Sequence, residues 1–65
     1  MHGLLQEMEQ GDFVKKVFGN DEDKIGIVLD YYINSLGNDF VAVMLPSGEI
    51  KTWYAKYVRT ISKCL

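Results

Sequence analysis

After Gly3, glycine punctuates this chain at positions 11, 19, 26, 37 and 48, and β-branched and aromatic residues fill the gaps. Short apolar runs between glycine-marked turns are the pattern of an all-β meander or a small barrel. The first run is Asp12–Phe18, and it ends in the polar loop Gly19-Asn20-Asp21-Glu22-Asp23. The second is Ile25–Tyr32. Strict alternation there puts Gly26, Val28 and Asp30 on one face and Ile25, Ile27, Leu29 and Tyr31 on the other.

Asn34–Asp39 is a cluster of turn formers. The next run, Phe40–Leu45, has no polar side chain, which predicts a central strand covered on both faces. Pro46-Ser47-Gly48-Glu49 reads as a tight hairpin turn, with proline presetting φ and glycine supplying φ > 0. Ile50–Tyr54 is a fourth strand, Ala55-Lys56-Tyr57 a 3₁₀ turn, and Val58–Ile61 a fifth strand. Residues 1–10 carry Leu4, Leu5 and Met8 at helical spacing, so they read as a tail or one helical turn outside a domain spanning 11–65.

Five strands in about 50 residues are too few for a two-sheet sandwich. They can curl into a strongly bent barrel, which also hides strand edges. The expected fold is therefore an all-β, five-stranded SH3-like barrel. Its margin is small: a single core in so short a chain nets only about 3–5 kcal/mol. The one cysteine, Cys64, makes no internal disulfide, and with a single histidine no Cys/His zinc site can be built.

The segment Gly11-Asp12-Phe13-Val14…Val17-Phe18-Gly19…Lys24-Ile25-Gly26-Ile27-Val28 resembles the KOW motif of certain ribosomal proteins and NusG-type elongation factors. That resemblance implies an SH3-like barrel with Val14 and Val28 facing inward. It also implies Gly19 and Gly26 relieving crowding where the chain leaves and re-enters the barrel. Nucleic-acid-binding members carry a basic loop after the first glycine. Here that loop is Asn20-Asp21-Glu22-Asp23, which would repel phosphates. The ending Ala55-Lys56-Tyr57-Val58-Arg59-Thr60-Ile61 is similar to the 3₁₀ turn and last strand of peptide-binding SH3 domains, where a tyrosine lines a proline groove. Those domains' acidic-aromatic strand opening and paired tryptophans are absent here. The order of G-D-x-V, G-x-V, a Pro-Ser-Gly turn and a Trp-bearing strand also resembles small SH3-like proteins of bacteriophages and marine metagenomes.

The aromatic set Phe18, Tyr31, Tyr32, Trp53, Tyr54 and Tyr57 exceeds what five short strands can enclose. Alternation sends Tyr31 and Tyr32 to opposite faces, and likewise Trp53 and Tyr54. One ring of each pair should lie outside, either as a ligand surface or as a cap or homo-oligomer contact. Lys51, Lys56, Arg59 and Lys63 gather in the last 15 residues, while acidic residues concentrate before position 40. The candidate ligand-binding residues are Tyr32, Trp53, Tyr57, Lys56 and Arg59.

The acidic triplet does not make an EF-hand from Asp21, because the fifth and twelfth positions hold Ile25 and Tyr32. His2 and Cys64 lie in opposite terminal segments, and no third group is indicated to orient them. The chain has no phosphate-binding glycine loop and no nucleophile elbow. It is expected to need no cofactor or metal, to be non-enzymatic, and to bind a protein or peptide partner. A KOW-like nucleic-acid-binding domain using the C-terminal basic-aromatic strip is the alternative. No membrane span is expected, since no apolar run approaches about 20 residues. The lone thiol fits a reducing interior, cytoplasmic or host-cytoplasmic.

Overall fold

The computed structural model describes residues 8–62; positions 1–7 of the expected N-terminal tail or helical turn, with His2 and Cys64, lie outside the described residues, and residues 8–10 form no helix. The chain forms β1 (Phe13–Lys16), β2 (Ile25–Ile33), β3 (Asp39–Met44), β4 (Ile50–Tyr54), the 3₁₀ turn η1 (Ala55–Tyr57) and β5 (Val58–Ser62). All five strands belong to one antiparallel sheet in the order β4-β3-β2-β1-β5. The first strand thus lies against the last, and η1 carries the chain from one margin of the sheet to the other.

The core is built from one face of every strand: Val14, Val28, Val41, Val43, Trp53 and Val58, joined by Met8, Leu45 and Ala55. Met8 is buried with them, so the packed unit begins before Gly11. Val14 and Val28 face inward and are fully buried, as expected from the motif.

Two expectations about the strands are corrected. β3 is central, between β2 and β4, but only Val41 and Val43 are buried. Phe40, Ala42 and Met44 point to the other face, which no second layer covers among the described residues. Strict alternation also fails in β2. Its register with β3 slips between Val28, opposite Val43, and Asp30, opposite Ala42. Leu29 is the extra residue of a β-bulge. Beyond it the phase inverts, so Tyr31 packs against the core and Asp30 is exposed.

The G-D-x-V and G-x-V segments hold each other together. Gly11 N–H donates to Val28 O and Val28 N–H to Asp12 O, at 2.8 and 2.9 Å. The Asp12 carboxylate is completely buried and accepts from Glu9 N–H at 2.9 Å. Gly26 is a place of close approach: a Cβ there would lie 2.3 Å from Val43 Cγ1 and 2.6 Å from Met44 O. Gly19 serves differently. Its φ of +82° opens the following loop, and its surroundings are not crowded.

Candidate functional site

The side of the sheet away from the core carries the feature of most functional interest. Register brings Tyr32 opposite Phe40, and Phe40 opposite Tyr54. Those rings are in contact, with centroids 5.6 and 4.8 Å apart. Tyr54 meets Tyr57 of η1 edge-on at 6.0 Å, and Tyr57 meets Phe18 at 5.0 Å. The result is an unbroken row of five rings across β2, β3, β4 and η1 to Phe18, two residues past the end of β1. Phe18, Tyr54 and Tyr32 are 60%, 46% and 42% exposed. Separations and tilts of this kind suit the ring quadrupole, and each such pair adds about 0.5–1.5 kcal/mol beyond area burial. Lys56 holds its ammonium over two of the rings, 5.8 Å from Tyr54 and 5.3 Å from Tyr57.

Of the residues named from sequence, Tyr32, Tyr57 and Lys56 are brought together on this row. Arg59 is exposed on β5, in register with Lys15 of β1, and none of the ring contacts reaches it. Trp53 goes elsewhere: it is 5% exposed, part of the core, on the opposite side of β4 from Tyr54. Phe18, Phe40 and Tyr54 complete the row and were not among the candidates. Counting back from the Pro46–Glu49 turn would set Phe40 opposite Ala55; the turn closes at Leu45 and Glu49 instead, and that one-residue difference brings Phe40 opposite Tyr54.

Trp53 anchors a second cluster. Its indole N–H donates to Asp21 Oδ2 at 3.2 Å, and Lys51 Nζ lies 3.7 Å from the same oxygen. Lys16, pointing inward beside Val14 and buried, donates from Nζ to Asn20 O and stands 5.6 Å from the Trp53 ring centroid. The acidic loop is therefore not simply solvated, as its composition implies. Asp21 turns back onto the sheet, with φ of +66° there and +75° at Asp23, a region aspartate tolerates better than most residues. The Trp53 hydrogen bond, with the nearby Lys51, Lys24 and Lys16 charges, holds the Asp21 carboxyl below its ordinary pKa of 3.8 against an opposing desolvation. Lys51 is held above its ordinary 10.5 by its hydrogen bond to Glu49 and by the Asp21 charge.

Between this loop and β4 lies a shallow groove of about 320 Å³, lined by Lys16, Asn20, Asp21, Lys51, Trp53 and Tyr57 among others. At the other end of the outer face, Phe13, Ile27 and Met44 line an apolar hollow of about 370 Å³. Among the described residues no group of three or more His, Cys, Asp or Glu side chains is placed to hold a metal ion. No helix among them is long and apolar enough to cross a membrane. The chain matches no protein-family model, no curated protein and no solved structure with which it was compared. What defines it is its own architecture: a small all-β domain with one five-stranded antiparallel sheet and a ring-lined outer face.

Proposed function

We propose that this chain is a small, non-enzymatic binding module with an SH3-like barrel fold, of the kind bacteriophages carry, acting through protein–protein contact in the cytoplasm. The fold reading is supported by the strand order, the pairing of β1 with β5, and η1 set between β4 and β5. The functional reading rests on one observation, the row Phe18–Tyr57–Tyr54–Phe40–Tyr32 lying open on the outer face. Rings so placed offer large, rigid contact area at little entropic cost, the chemistry found in peptide grooves and at interface hot spots. Lys56 adds a cation over the centre of the row, so the partner is an extended segment carrying proline or aromatic side chains and a carboxylate.

A nucleic-acid strand stacked on the same rings is the competing reading. It is weakened by the charges around the row, where Lys51 is engaged by Asp21 and Glu49, and Lys15 by Asp23 at 3.5 Å. The test is an NMR titration with proline-containing and acidic peptides and with a single-stranded oligonucleotide, at low and high salt. Peptide-induced shifts along the row, lost in Tyr54→Ala and Tyr57→Ala, are expected. Binding of the oligonucleotide alone, falling steeply with salt, would replace this reading with the other.

A further inference from the structure

β4 forms one margin of the sheet among the described residues. Leu45 N–H donates to Glu49 O at 2.8 Å at the base of the β3–β4 hairpin. Ladder bonds in an antiparallel pair recur at every second residue. The bonded pairs above it are therefore Val43–Lys51 and Val41–Trp53. The N–H and C=O groups of Ile50, Thr52 and Tyr54 face away from β3, and among the described residues no strand lies beyond β4 to receive them. Their side chains are all exposed on the outer face of the sheet. Natural edge strands are blunted by charge, proline or a bulge. The outward positions of β4 carry none of these.

We propose that the occupant of this edge is a second copy of the chain, paired β4 to β4 about a two-fold axis at Thr52. Three features of the register favour a copy over an unrelated strand. The axis falls on a residue whose backbone groups point outward, so Thr52 bonds its own counterpart, and Ile50 bonds Tyr54 of the second copy on either side. The apolar rows also become continuous. In one chain, Tyr32, Phe40 and Tyr54 run to the edge at one level, while Phe13, Ile27, Met44 and Ile50 run to it at another. The two-fold joins the Tyr54 end of each row to the Ile50 end of the other copy's row. Finally, charge is complementary. Exposed Glu49, just before β4, approaches the far end of the second copy's β4, beyond which the exposed Lys56 stands, and the reciprocal approach forms on the other side.

Thr52 is the decisive position because it meets itself, and its exposed side chain makes it dispensable for the fold. The parent should sediment as a dimer, with a concentration-dependent monomer fraction. Thr52→Lys and Thr52→Glu each place like charges directly opposite and should be folded monomers over the same concentration range. An equimolar mixture of the two should restore the dimer as a heterodimer. In the monomeric variants the amide of residue 52 should exchange quickly while that of Lys51 stays protected. A parent that stays monomeric at millimolar concentration overturns the proposal. So does a Thr52→Lys chain that still dimerises, or a mixture that stays monomeric. Peptide binding along the ring row is measured separately, so either result leaves that reading to its own test.

Discussion

Gly26→Ala isolates the closest approach in the sheet. Carbon atoms in ordinary contact lie about 3.5–4.0 Å apart. The new Cβ would sit 2.3 Å from Val43 Cγ1 and 2.6 Å from Met44 O. Val43 is fully buried and stiff at χ1 as a β-branched residue, and Met44 O belongs to the backbone of a strand held on both sides. Relief requires moving β3 away from β2 by more than about 1 Å. Overpacking of a tight core costs about 1–3 kcal/mol, and a collision with backbone puts this case at the upper end. Against the roughly 3–5 kcal/mol expected of a single core in a chain of 65 residues, that removes a large part of the stability. Urea melts of Gly26→Ala beside the parent measure it directly. Two companions separate the causes. Gly37→Ala and Gly48→Ala meet no atom within 4 Å but hold φ of +87° and +91°, so their cost of about 1–2 kcal/mol is backbone strain alone. Adding Val43→Ala to Gly26→Ala removes one collision, leaves Met44 O in place and empties part of the core, so it should not rescue. A Gly26→Ala protein within about 0.5 kcal/mol of the parent would refute the reasoning.

Three further outcomes are expected. Because the Asp21 pKa is lowered in the folded chain, its ionised form stabilises the fold above the ordinary value of 3.8, and that contribution disappears as pH falls through the lowered pKa. Asp21→Asn should therefore be less stable than the parent at neutral pH and indistinguishable from it in strong acid; denaturant melts across pH would show a constant gap if this is wrong. Trp53→Ala should lose about 3–5 kcal/mol and unfold much of the population, whereas Tyr32→Ala, on an exposed ring, should keep a cooperative melt by circular dichroism. In hydrogen exchange, Val41 and Val43 should be among the slowest amides, since β3 is flanked on both sides; rapid exchange at both would contradict the strand order.

Much of the sheet was legible because its turns are spelled in residues with one purpose. Gly48 at φ +91° closes the hairpin after Pro46, and Asn34 accepts from the N–H groups of Leu36 and Asn38 around Gly37. The 3₁₀ turn falls at Ala55–Tyr57 and the closing strand starts at Val58, where sequence placed them. What alternation alone could not supply was phase. The bulge at Leu29 has no glycine to announce it, and an apolar run such as Phe40–Leu45 does not declare whether its second face is covered. The site was legible in half. An excess of rings was countable, but their assembly depended on cross-strand register. Trp53 is the inward member of its pair, and its hydrogen bond to Asp21, 32 positions away in sequence, is a pairing that no local pattern encodes.

The bulge gives β2 one place where its length is negotiable. Leu29 is the residue without a partner of its own, so its loss would leave Val28 opposite Val43 and Asp30 opposite Ala42 in an unbroken ladder. Tyr31 would keep its hydroxyl on Asp39, to which it donates at 2.8 Å, and the Tyr32 ring would keep Phe40. β3 holds no such spare residue, since its register with β4 runs without a shift from Phe40 to Met44. A lineage carrying this fold can thus shorten β2 at Leu29 and keep every pairing beyond it, while a residue lost from β3 changes the partner of each residue that follows.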